Sequence, residues 1–173
     1  YGLNDNFTIW MTACLLFVVL FYVYPLKFVW TLLVNVMFGF GTTVDVGGRL
    51  VPVVRAEQMP TMLAVYGVGF AAVFSIFALL YRHAYRKRAA LDLNELEAHD
   101  TRAYIQENAL MALVGLLSTG LALSGTRFSS LLAGTAYWLI GPVHFLHGRH
   151  MGKRRKRLEQ HSEEQADLIA PTG

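Results

Sequence analysis

Long uncharged runs alternate along this chain with short charged clusters. Phe7 to Tyr24 is 18 residues without a charge, and beyond Pro25 and Lys27 a second apolar run extends from Phe28 to Gly41. Thr61 to Tyr81 is 21 uncharged residues, Asn108 to Thr126 is 19, and Phe128 to Val143 is 16. A helix rises about 1.5 Å per residue, so roughly 20 residues cross a hydrocarbon core about 30 Å thick. The last run reaches that length only with the help of its His144 side, of tilt, or of a locally thin bilayer. A spanning segment must satisfy its own backbone groups, which leaves a helix or a closed barrel. Barrel strands alternate apolar with polar positions, and these runs do not. The pattern predicts an all-α fold, a polytopic membrane helical bundle with four transmembrane helices. They fall at about 7–26, 60–82, 106–126 and 128–147.

The connections sharpen this picture. Pro25 predicts a kink or break. Gly47-Gly48 and Pro52 mark turns within the loop from Thr42 to Pro60. Between residues 89 and 105, Leu91, Leu93, Leu96, Ala103 and Ile105 alternate with acids, which predicts an interfacial elbow helix. Asp92, Glu95, Glu97 and Asp100 give it an acidic face beside the basic run 82–88, and Asp92 with Glu95 suits a helix N-terminus. Residues 1–148 form the predicted bundle and 149–173 a basic, then polar, tail, whose end from Glu159 has the composition of a disordered segment.

Charge supplies the orientation. Arg82, Arg86, Lys87, Arg88 and Arg102 lie between the second and third runs, and Arg149, Lys153, Arg154, Arg155, Lys156 and Arg157 follow the fourth, together 11 of the 15 basic residues. The opposite loops hold Lys27, Arg49, Arg55 and Arg127. The positive-inside rule places the basic clusters and both ends of the chain in the cytoplasm, as in a bacterial inner membrane protein. Composition agrees, with 54% hydrophobic and 16% charged residues, against about 25% charged in a soluble domain. These values exclude an ordinary soluble enzyme, a disordered chain and a nucleic-acid-binding domain as first readings. Cys14 is the single cysteine, so there is no disulfide framework and no cysteine metal site. The chain opens on Tyr1 without a signal peptide pattern, and upstream residues are expected.

Candidate chemistry is sparse. His144 and His147, spaced i, i+3, share a helix face, and with His150 they form a candidate pH-sensitive or metal cluster. His83 faces the same side, and Gly148 is expected to weaken the helix there. Lys27 reads as a snorkelling anchor. None of the uncharged runs carries an ionisable residue of the kind that marks an intramembrane functional site. Gly67, Gly69, Ser118, Thr119, Gly120, Ser124, Gly125, Gly134, Thr135 and Gly141 favour close helix packing. Trp10, Trp30 and Trp138, with Tyr22, Tyr24, Tyr81, Tyr85 and Tyr137, suit interfacial aromatic belts. Arg86, Lys87, Arg88, Lys153, Arg154, Arg155, Lys156 and Arg157 are the expected topology anchors and contacts for anionic headgroups. No P-loop, GxGxxG or HExxH pattern is present, and no cofactor is expected.

One family resemblance gathers these features. The stretch from Asp5 to Leu32, with Trp10, Leu15-Leu16-Phe17 and Pro25 in that order, resembles the third helix of the lysosomal-type transmembrane potassium channel family and its bacterial homologues. Leu63 to Gly67, LAVYG, is similar to the opening of that family's fourth helix. A basic end, an acidic elbow and two shorter spans follow in the same order. The resemblance implies a six-helix unit, assembled as an oligomer around a cation pore, of which this chain supplies helices three to six. In the family the first helix lines the pore and carries a Phe-Ser-…-Asp motif. Here Phe74-Ser75 has no following Asp and lies in another helix, so the resemblance assigns no pore-lining residue. Lys27 and the 42–60 insertion also depart from the family pattern.

Two functions of different classes follow. One is a subunit of a channel for potassium or other monovalent cations, in which these helices scaffold a pore helix. The other is a non-conducting accessory subunit of a larger membrane complex. A third and weaker class, a membrane redox protein using His144 and His147, would show a visible absorption band. The expected partners are membrane lipids, other copies of the chain or other membrane subunits, and potassium ion in the channel case; nucleic acid is not among them.

Overall fold

The structure, a computed structural model, describes residues 5–39, 43–126 and 128–169. Arg127 and the side chain of Trp30, both singled out above, lie outside the described residues, as do the last four residues of the tail. Among the described residues five α-helices follow in chain order: α1 (Asn6–Met37), α2 (Met59–Arg86), α3 (Glu95–Leu123), α4 (Ser129–Ala136) and α5 (Ile140–Ile169). The strands β1 (Thr43–Val46) and β2 (Arg49–Pro52) form a small antiparallel hairpin between α1 and α2. Among the described residues, α1 over Asn6–Phe28, α2 and α3 are long and apolar enough to cross a membrane.

Local chemistry sets the ends of these elements. Asp5 caps α1, its carboxylate accepting the Thr8 backbone N–H at 3.3 Å, which satisfies one of the orphan donors of the first turn. Asn94 caps α3 in a reciprocal box: its side chain accepts from Glu97 N at 2.8 Å, and the Glu97 carboxylate accepts from Asn94 N at 3.0 Å. Glu97 therefore belongs to the cap, while Asp92 lies outside the helix with φ of 50°. In the hairpin Gly47 and Gly48 take φ of 65° and 83°, as a two-residue turn between right-twisted strands requires. The turn pairs Val44 with Val51 and Val46 with Arg49.

The helices are drawn differently from the expectation in four places. α1 continues through Pro25 to Met37 rather than breaking. The donor lost at Pro25 costs one backbone bond, the one to the Phe21 carbonyl, which an apolar helix tolerates; beside it the Tyr66 hydroxyl of α2 donates to the Pro25 carbonyl and ties the two helices together. The elbow is no separate helix: residues 87–94 are turns and loop, and the acidic segment from Glu95 is the first part of α3 itself. The fourth run is interrupted by a 3₁₀ turn at Tyr137–Leu139. Pro142 explains it, because a proline has no N–H for the carbonyl four residues back and its ring crowds that carbonyl, so the preceding turn tightens. Finally, α5 passes through Gly148 and across the expected 148/149 boundary to Ile169. The segment after Glu159 is rich in strong helix formers and holds no glycine or proline before Pro171.

The interior is built from small residues. Of the nine buried apolar residues among those described, seven are alanines, joined by Met111 and Val114. Phe17, Leu20, Leu131 and Trp138 point outward. This inversion of the soluble pattern is what lipid solvation allows: large apolar groups gain nothing by hiding from lipid tails, and helices associate through close backbone approach. The α2–α3 pair is the most extensive contact. At its centre, a Cβ added to Gly115 would sit 2.8 Å from both the Gly67 carbonyl oxygen and the Ala71 nitrogen. Thr119 bonds back to the Gly115 carbonyl at 2.9 Å and reaches the Ala64 carbonyl of α2 at 3.5 Å.

Candidate functional site: the basic end of the bundle

The residues singled out for charge converge on one end of the molecule. α1 and α2 run antiparallel, so Tyr22 lies against Gly69 while Asp5 meets the end of α2. The segment after residue 128 returns along α3. The Ser118 hydroxyl donates to the Ala133 carbonyl at 3.0 Å, His144 Nδ1 lies 2.8 Å from Glu107 Oε1, His147 Nε2 lies 3.2 Å from the Ala103 carbonyl, and Arg155 Nε lies 3.3 Å from Asp100 Oδ2. As the numbers rise on one side they fall on the other, so α4 and α5 track α3 in the opposite direction. The end of α2, the start of α3 and the 144–155 part of α5 therefore share one end. The Tyr81 and Tyr104 rings stack there at 5.2 Å.

Asp5 is the acid at the centre of the α1–α2 side. Its Oδ2 lies 2.7 Å from Lys87 Nζ and 2.6 Å from His83 Nε2, while Oδ1 takes the Thr8 cap. Phe7 covers the His83 ring at 4.4 Å between centroids. The Lys87 ammonium, then the Thr8 hydrogen bond, and then His83 hold the Asp5 carboxyl well below the usual carboxylate range. A depressed folded value means that the anchor contributes above the unfolded value of about 3.9 and is lost as pH falls through the lower folded one. Asp5→Asn is therefore expected to melt below the wild type at pH 6. The gap should shrink once pH falls below roughly 4, as thermal unfolding in detergent at both pH values would record.

The eight expected anchors separate into two groups. Lys87 is engaged by Asp5 and Arg155 by Asp100, so both tie helix to helix. Arg88 lies over the Tyr85 ring at 4.9 Å, and Arg86, Lys153, Arg154, Lys156 and Arg157 are exposed. The acidic face of the former elbow does not meet the run 82–88 among the described contacts; Asp100 turns to α5 instead. His144 and His147 lie on the stripe of α5 that faces α3, and His150 is exposed. Among the described residues no group of three His, Cys, Asp or Glu side chains is placed to hold a metal ion. Asp5, Asp100, Ala103 and Glu107 were not singled out as partners from sequence. For the last three the signal was the complementary spacing 100, 103, 107 against 144, 147, 155, which is legible only once α3 and α5 are known to be antiparallel neighbours.

Of the described glycines, Gly67, Gly69 and Gly115 are the ones in close interhelical contact. Gly120, Gly134 and Gly141 face open space within the chain, and Gly125 serves the turn after α3 with φ of 66°. Lys27 is exposed on α1.

Helices of bilayer length, packed through small residues with cations gathered at one end, define a polytopic α-helical integral membrane protein. The chain is 36% identical over 163 residues to a protein of Marivirga tractuosa named "Potassium channel", a match covering 92% of this chain and 66% of that relative. It is also similar to the crystal structure of a variant of the potassium channel MtTMEM175, solved in complex with a nanobody–MBP fusion protein. That likeness has a TM-score of 0.71 and 35% identity, and covers 88% of this chain and 67% of the other. The chain belongs to the TMEM175-like family of bacterial potassium channels, and it spans about two thirds of the length of these relatives. No protein-family model matches it.

Proposed function

We propose that this chain is the scaffold portion of a potassium channel subunit. Its helices hold in place segments that line the ion path and that correspond to the part of the relatives outside the match. The observation that carries this reading is the likeness to the MtTMEM175 channel structure over 88% of the chain at 35% identity. The α2–α3 core is the rigid element, and α1 is docked on it by a few directional contacts. Four crossings, the fourth made by α4 and α5 together, leave the basic end and both chain ends in the cytoplasm of a bacterial cell. The exposed cations Arg86, Lys153, Arg154, Lys156 and Arg157 meet anionic headgroups there. Subunits assemble as a homo-oligomer around the pore, whose constriction and lining groups set selectivity.

Liposomes holding the full-length protein are expected to release potassium down its gradient well above empty liposomes. If a correctly folded, oligomeric protein gives no flux for any monovalent cation, the channel reading fails. The non-conducting accessory subunit then stands in its place.

A further inference from the structure

Between α1, α2 and Tyr137 lies an apolar cavity of about 490 Å³, with Val23, Leu63, Val73 and Phe74 among its walls. A second cavity of about 480 Å³ lies toward the hairpin end, where Glu57 and Gln58 join Phe28 and Val54. Met62 and Tyr66 line both, so the two open spaces adjoin along these side chains. Each falls within the roughly 300–1,000 Å³ of ordinary ligand clefts. Polar groups at the boundary are already engaged: the Tyr22 hydroxyl donates to the Val65 carbonyl at 3.0 Å, and Gln58 Oε1 accepts from Arg55 N at 3.2 Å. Glu57 is different. It is exposed, and among the described ion pairs no cation meets its carboxylate.

We propose that these chambers bind one ammonium-headed amphiphile, its aliphatic tail in the inner chamber and its cationic head beside Glu57. The inner chamber is bounded by the spanning helices, where the solvent is lipid. A lipid tail entering it leaves one hydrocarbon environment for another, so the cavity adds shape but little transfer free energy. Discrimination among amphiphiles therefore falls to the head. A lone carboxylate at the mouth attracts an ammonium and repels a phosphodiester of net negative charge. Phosphatidylethanolamine from the bilayer and a soluble alkylammonium both carry the required chemistry.

Native mass spectrometry of the full-length protein, delipidated in neutral detergent, tests this. Dioleoylphosphatidylethanolamine and dodecyltrimethylammonium are each expected to give one saturable adduct, with dioleoylphosphatidylglycerol about fivefold weaker, the scale of one partly exposed ion pair. Tetramethylammonium, which has no tail, is not expected to bind. Glu57→Lys, a surface change that does not touch packing, is expected to reverse the preference. Binding of dodecyltrimethylammonium without the phospholipid supports the same site with a soluble ligand as its source. Equal binding of the two phospholipids to the wild type, an unchanged preference in Glu57→Lys, or tetramethylammonium binding as well as the dodecyl compound would each overturn the proposal. So would the absence of any saturable adduct, which would mean that other parts of the protein fill the chambers.

Discussion

Gly115→Val is expected to separate α2 from α3 and to be the most damaging single substitution in the bundle. The first atom added, a Cβ, meets the Gly67 carbonyl oxygen and the Ala71 nitrogen at 2.8 Å and the Ala71 Cβ at 3.1 Å. Two of these are backbone atoms of the neighbouring helix, and no rotamer change removes them. The helices must move apart along their largest contact, and Thr119 then loses its reach to the Ala64 carbonyl. Overpacking of this kind costs about 1–3 kcal/mol and more where the backbone cannot yield, and the better intrinsic helix propensity of valine over glycine, about a few tenths of a kcal/mol, does not offset it. The expected result is a fall of many degrees in melting temperature in detergent, with helical circular dichroism retained at low temperature because each helix still satisfies its own backbone. Gly134→Val is the control, since nothing lies within 4 Å of its added Cβ. If the two variants melt alike, the close approach of α2 and α3 is not what holds the bundle.

The same contact shows what the sequence could and could not reveal. The bilayer-length runs, the turn at Gly47-Gly48 and the gathering of cations at one end are local or compositional properties, and each was legible along the chain. Gly67 and Gly69 were legible as small residues, but Gly120 and Gly134 looked the same. Composition does not say which face of a helix meets a neighbour, and Gly115, the most confined glycine of α3, drew no notice beside Ser118 and Thr119. His144 and His147 were rightly placed on one helix face. What that face meets, Glu107 and the Ala103 carbonyl, depends on the path of α5 along α3. Asp5 was visible only as an acid ahead of Trp10; its meeting with Lys87 and His83, some eighty residues away in sequence, is set by the antiparallel docking of α1 on α2. The tight turn before Pro142 was readable in principle, because proline acts on the carbonyl four residues behind it.

Gly69→Val should act on α1 alone, and this distinguishes it from Gly115→Val. No described residue of α1 is buried, so the helix is held to α2 by a short series of contacts. Among the described residues they include the Asp5 anchor and the Phe7 ring on His83 at the basic end, the Tyr66 hydroxyl on the Pro25 carbonyl, and the Tyr22 ring laid on Gly69 with its hydroxyl donating to Val65. A Cβ at Gly69 would fall within the Tyr22 ring. Tyr22 must leave, and its hydrogen bond to the Val65 carbonyl goes with it, a loss of about 1 kcal/mol before any packing is counted. α2 and α3 keep their own contact at Gly67 and Gly115. The expected outcome is therefore a release of α1 within a bundle that still melts cooperatively. Spin labels placed on α1 near Val18 and on α2 near Val73 would report it as a longer and broader distance distribution. Combining Gly69→Val with Tyr22→Ala removes the ring that the new side chain strikes, and is expected to restore most of the wild-type distance. If the single variant leaves the distance unchanged, the ring does not seat α1. If the double variant is no better than the single one, the damage lies within α2, and the account of α1 as a helix docked by a few directional contacts would have to be given up.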